Sequence, residues 1–149
     1  MISLHSKQFL ETNIKGFIIP SEKVAHVQIG NSLEHALLVL TKSGYSAIPV
    51  LDTKYKFNGL ISSSMITDSI LGLERIEFEL LEGKKVEEVM VTNIPRISID
   101  AKFEEIIELL VDYPFLCVIK EDGYFEGIMT RRIALKQLNR HIHRLNHFL

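Results

Sequence analysis

The chain has 149 residues, 46% of them hydrophobic and 24% charged, with a net charge of −2; this is too apolar for a disordered chain and long enough for one domain or two small ones. The lone cysteine, Cys117, excludes an intrachain disulfide and a cysteine-rich zinc site, and no apolar run approaches the roughly 18 residues that span a bilayer. Residues 131–149 hold five Lys/Arg and no acid, leaving 12 bases against 19 acids elsewhere; that argues against a uniformly basic nucleic-acid binder and leaves room for a local anion site near the C-terminal segment.

Residues 1–17 lack a continuous apolar stretch and do not read as a secretory signal. Leu4–Ile14 is weakly helical. From Val24 the chain runs VAHVQIGNSLEHALLVLTKSGYSAIPV, and from Ile94 it runs IPRISIDAKFEEIIELLVDYPFLCVIK, an internal match at an offset of 70. Val27 aligns with Ile97, Ile29 with Ile99, Leu33 with Phe103, Leu40 with Leu110 and Tyr45 with Phe115. After a two-residue difference, GLISSSMI from Gly59 aligns with GIMTRRIA from Gly127.

Each unit reads as one plan. A short alternating strand (Val27, Ile29; Ile97, Ile99) leads to a polar helix cap, Asn31-Ser32 or Asp100. An amphipathic helix follows, with the stripe Leu33, Ala36, Leu37, Leu40 or Phe103, Ile106, Ile107, Leu110. Gly44 or Pro114 ends it. Strands Ser46–Leu51 and Phe57–Ile61, or Phe115–Lys120 and Tyr124–Met129, are joined by turns such as Asp122-Gly123. A helix near Ser63–Leu71 or Arg131–Leu149 closes each unit. Between the units, LERIEFELLEG suggests a linker helix with Glu74, Glu77, Glu79 and Glu82 on its solvated face. Cys117, within Phe115–Ile119, reads as a buried thiol of a protein in a reducing cytoplasm. The fold class expected is α+β: an extension over 1–16, a first repeat over 17–72, the linker helix over 73–85 and a second repeat over 86–149.

A β-α-β-β-α unit ending in Gly-hydrophobic-hydrophobic-Ser/Thr, present twice (Gly59-Leu60-Ile61-Ser62 and Gly127-Ile128-Met129-Thr130), resembles the cystathionine-β-synthase (CBS) domain, and two in tandem resemble a Bateman module. The strand Ala47–Asp52 and the run VEEVMVTNIPRIS also match. The resemblance covers about residues 17–145 and implies two repeats about a pseudo-twofold axis, a binding role with no cofactor and no catalysis. Length and Thr130-Arg131-Arg132 make the chain similar to the small stand-alone CBS proteins of Gram-positive bacteria that bind cyclic di-AMP. In the family an Asp three residues after the Ser/Thr holds adenosine ribose hydroxyls. Met65 and Ile133 stand there in this sequence, which fits a cyclic dinucleotide, with its 3′-oxygen esterified, better than AMP, ADP or ATP.

Arg131 and Arg132 sit between a strand end and a helix start, where free N–H groups favour phosphate and cations oppose the dipole. Arginine makes bidentate phosphate contacts; the opposing reading is two surface arginines on a basic helix. The resemblance implies composite clefts. One would join Lys23, Val24, Ala25, His26 and Val27 with Tyr45, Ser46, Ala47, Thr130, Arg131 and Arg132. The other would join Ile94, Pro95 and Arg96 with Phe115, Leu116, Ser62, Ser63 and Ser64. The first has the greater positive charge and small residues at Ala25 and Ala47, and is the expected nucleotide site. Arg132, Lys136, Arg140 and Arg144 share a helix face, either solvated or a stripe for an acidic partner. His143 and His147 lack the further ligands of a metal site. No nucleophile elbow, P-loop or metalloprotease motif is present. The resemblance also implies a cytosolic homodimer, bound to neither DNA nor membrane, that regulates an effector protein such as a (p)ppGpp synthetase/hydrolase. A ligand-free interaction module is the alternative of a different class.

Overall fold

The computed structural model describes residues 4–147. Among them lie two sheets and six α-helices in a mixed α+β arrangement. The chain forms two compact units. The first comprises the chain up to Glu22, Pro95–Glu121 and the chain from Glu126; the second comprises Lys23–Ile94 with Asp122–Phe125.

In the second unit β2 (Val27–Gln28) runs parallel to β3 (Ala47–Leu51), which pairs antiparallel with β4 (Phe57–Ser62). The helix α2 (Leu33–Ser43) buries Leu33, Ala36 and Leu40, the stripe read from the sequence. Ser32 caps it by accepting the His35 N–H at 3.1 Å. Gly44 ends it in the left-handed conformation (φ 79°), which glycine adopts without a Cβ clash. After β4 comes α3 (Ser63–Ser69), shorter than expected.

In the first unit the sheet order is β1 (Ile19–Pro20), β7 (Phe125–Thr130), β6 (Phe115–Ile119), β5 (Arg96–Ile97). The helix α5 (Phe103–Leu110) buries Phe103, Ile106 and Leu110, and α6 (Arg131–Asn146) packs Ile133, Ala134 and Leu138 on the same core. The last two residues of the expected final helix, 148 and 149, lie outside the described residues. The helix α1 (Leu4–Leu10) buries no residue fully and is held by Phe9, whose ring stacks on His141 (4.4 Å) and meets Phe103 (4.7 Å). No helix among the described residues is long and apolar enough to cross a membrane.

Three features go beyond the expected plan. Residues 17–22, which open the first repeat in sequence, fold into the first unit, where Ile19 and Pro20 pair with Ile128 and Gly127. The opening of the second repeat does the reciprocal thing: Leu60 and Val91 exchange both N–H···O bonds at 2.9 Å. Each closing glycine therefore lies under another strand. A Cβ on Gly127 would stand 2.2 Å from the Ile19 carbonyl oxygen, and one on Gly59 would stand 2.8 Å from the Val91 oxygen.

The second concerns residues 73–85, where only α4 (Leu80–Gly83) is helical. Ile76 and Leu80 would fall on one side of a helix and Phe78 and Leu81 on the other, so no single stripe exists. The chain instead turns back, with Gly72 N–H donating to the Arg75 carbonyl (2.8 Å) and Glu77 N–H to the Ile70 carbonyl (2.7 Å). Leu80 and Leu81 reach the core while Phe78 remains 65% exposed.

The third is Asp100. It does not cap α5; Lys102 holds the cap position without a side-chain bond. The Phe103 N–H is satisfied by the Thr12 carbonyl at 2.8 Å, just as the Leu33 N–H is satisfied by the Lys84 carbonyl at 3.0 Å. At α5 the distant backbone takes the place of a local cap; at α2 it adds to the Ser32 cap.

Candidate functional site: the strand entries and helix starts

In the second unit Lys23 ends a 3-10 turn (Ser21–Lys23) with an exposed side chain, and Val24 is buried. Ala25 packs on the core, and Val27 enters β2 opposite Val50. His26 is half-buried; its Nδ1 lies 3.3 Å from the Val24 carbonyl and its ring meets Tyr55 edge-on at 5.3 Å. Tyr45 is also half-buried against the core, so packing accounts for its ring. The Ser46 carbonyl accepts the Ser63 N–H (3.2 Å) and Ala47 pairs with Ser62. This unit thus brings Ser46 and Ala47 beside the Ser62-Ser63-Ser64 helix start. Ser62 Oγ accepts the Met65 N–H at 3.1 Å and lies 3.0 Å from Ser64 Oγ.

Thr130, Arg131 and Arg132 belong to the first unit, and the other eight expected site residues belong to the second. Thr130 Oγ1 accepts the Ile133 N–H at 3.1 Å and caps α6. The two arginines then part company. Arg131 donates its backbone N–H to the Pro114 carbonyl (2.9 Å), Nε to the Leu110 carbonyl (2.8 Å) and Nη2 to the Val111 carbonyl (3.4 Å). Its charge therefore rests on the C-terminal carbonyls of α5, where the helix dipole favours a cation. Three of its five N–H donors stay open. Arg132 is exposed and its guanidinium has no hydrogen bond or ion pair among the described residues. Lys136, Arg140 and Arg144 continue its row, all exposed.

The Ser62-Ser63-Ser64 helix start carries no charge, and Arg96, the cation expected with it, is exposed on β5 of the first unit. Cys117 is buried, and burial pushes its thiol up to about 12, so it stays protonated and unreactive at neutral pH. Tyr55 escaped the sequence reading. Asp52-Thr53-Lys54 signals a turn, but nothing local marks the following aromatic as the residue that takes a left-handed backbone (φ 64°).

Two hydroxyl-capped helix starts, each following a sheet strand whose glycine lies under a neighbouring backbone, define the class. The CBS-domain family model matches residues 14–72 and 86–140, beginning at Ile14 and Val86, each fully buried in its unit's core. The chain belongs to the CBS-domain family. It is 56% identical over 146 residues to the cyclic di-AMP receptor B of Bacillus subtilis, covering 98% of this chain and 99% of that one. The crystal structure of the CbpB protein of Listeria monocytogenes in complex with c-di-AMP is 64% identical, with a TM-score of 0.80 over 85% of this chain and 94% of that one. CbpB from Streptococcus agalactiae is 31% identical, with a TM-score of 0.81 over 98% and 92% of the two chains.

Proposed function

We propose that this chain is a cyclic di-AMP sensor, and that Lys23, Val24, Ala25, His26, Val27, Tyr45, Ser46, Ala47, Thr130, Arg131 and Arg132 are its ligand-binding residues. The observation that carries this reading is the 56% identity, across 98% of the chain, to a protein named as a cyclic di-AMP receptor. The chemistry of the second helix start supports it. A phosphodiester is a permanent anion, and the α6 start offers an unpartnered guanidinium at Arg132, a half-engaged one at Arg131 and the positive end of a helix dipole. Met65 and Ile133 place no carboxylate where a free ribose would need one.

In this reading the chain is a receptor and not an enzyme, works in the cytoplasm as a homodimer, and passes occupancy to an effector protein, for which a (p)ppGpp synthetase/hydrolase is the candidate. The effector responds only as far as its affinity differs between the free and the bound receptor. Titration calorimetry against cyclic di-AMP, AMP, ADP, ATP and cyclic di-GMP tests the ligand. Cyclic di-AMP is expected to bind most tightly; tight AMP or ATP binding with none of cyclic di-AMP would replace the reading with an energy-charge sensor.

A further inference from the structure

Among the described residues Tyr55 is the one non-glycine residue with positive φ, 64°. A left-handed backbone crowds the Cβ of an L-residue against the following carbonyl oxygen, and turns that need it use Gly, Asn or Asp. The surrounding bonds hold Tyr55 there. Asp52 Oδ1 accepts the N–H of Lys54 (2.8 Å) and Lys56 (2.9 Å), the Tyr55 N–H donates to the Asp52 carbonyl (3.0 Å), and the Tyr55 carbonyl accepts the Phe125 N–H (3.0 Å). Both peptide groups of Tyr55 are therefore fixed, and its ring packs among His26, Tyr124 and Phe125.

The Tyr55 ring meets the His26 imidazole at 5.3 Å and 76°, in an edge-to-face contact, and is itself backed by Tyr124 at 5.5 Å and Phe125 at 6.3 Å. On the imidazole's other attachment, Nδ1 lies 3.3 Å from the Val24 carbonyl. The ring of His26 is thus tied at one side to the turn that carries Val24 and Ala25, and at the other to a residue whose backbone is strained.

We propose that Tyr55 is a positioning residue for the nucleotide site: its ring fixes the His26 imidazole and, through it, the Val24–Val27 entry segment. The inference rests on the reading of that segment as ligand-binding. Strain persists where the surrounding structure over-determines it and the geometry serves a site. A Gly or Asn at position 55 would form the same turn with less strain but without the ring.

Tyr55→Phe and Tyr55→Asn test this, each also in a His26→Ala background, and Asn suits the left-handed turn so that folding is kept. Tyr55→Phe is expected to bind cyclic di-AMP as the parent does, and Tyr55→Asn about three- to tenfold more weakly, the worth of an aromatic pair. In the His26→Ala background Tyr55→Asn should cost nothing further. In the free protein the His26 ring-proton resonances should shift in Tyr55→Asn and stay in Tyr55→Phe, because a ring current next to them is lost. Equal losses in both backgrounds, equal losses for Phe and Asn, or unmoved His26 resonances would each overturn the proposal. If the parent binds no cyclic di-AMP, the functional reading fails, while the resonances still decide whether Tyr55 positions His26.

Discussion

At Ser62 and at Thr130 the chain performs the same manoeuvre. A strand ends, a hydroxyl accepts the N–H three residues on at 3.1 Å, and a helix begins. Past that point the chemistry diverges. Ser63 and Ser64 follow in one unit, Arg131 and Arg132 in the other. The equal caps teach that neither arginine is required to start a helix, and two cations at the positive end of α6 weaken it. Arg131 is compensated by the α5 carbonyls. Arg132 has no compensation within the unit, which makes it the residue best explained by an anion that binds.

The comparison can be strained first at the glycines. Gly127→Ala would drive a Cβ to 2.2 Å from the Ile19 carbonyl oxygen, where only backbone can yield. We expect a loss of roughly 3 kcal/mol, or ~10 °C in melting temperature, by thermal unfolding followed by circular dichroism. Gly59→Ala meets the flexible Met90 Sδ and the Val91 oxygen at 2.8 Å, and should lose less. Equal losses would mean that the two strand crossings are equivalent in tightness.

Arg131→Ala should separate the two arginines. It removes the bonds to Leu110 and Val111 from a largely exposed group, so the free protein should lose about 1 kcal/mol in urea unfolding and also bind nucleotide more weakly. A variant that loses affinity with unchanged stability would show that the α5 contacts are incidental.

The smallest effect concerns Asp52. The backbone N–H of Lys56 first, then the Lys54 N–H, the Asn58 side chain and the Lys56 charge, hold its carboxyl below the ordinary 3.8. A lowered carboxyl contributes stability that is fully present above its unfolded value and is lost as pH falls through its folded value. The parent should therefore lose slightly more stability than Asp52→Asn between pH 5 and the acid range below 3.8, measured by urea midpoints. Parallel curves would show that the turn holding Tyr55 does not depend on this charge.

The sequence carried the repeat, the strand-helix-strand-strand order, the Gly44 stop and the Ser32 cap because each is written within a few neighbouring residues. Asp100 failed as a cap because the acceptor for the Phe103 N–H is Thr12, some ninety positions away. The crossing of residues 17–22 into the other unit was hidden for the same reason: the pairing of Ile19 with Ile128 leaves no local trace. At the site, the charge of Arg131-Arg132 was legible, but their separation was not, since it depends on where α5 ends. Tyr55 was invisible because a strained backbone contradicts the propensity by which turns are read.

The most direct measurement is calorimetry of cyclic di-AMP with the parent protein, Arg132→Met and Ser64→Ala. Methionine keeps the apolar stem and removes the charge. A charge-assisted hydrogen bond is worth about 1.5–3 kcal/mol, so affinity should fall roughly ten- to a hundredfold in Arg132→Met, with the melting temperature of the free protein unmoved and Ser64→Ala binding as the parent. Parental affinity in Arg132→Met together with lost binding in Ser64→Ala would contradict the account and move the phosphate to the other helix start.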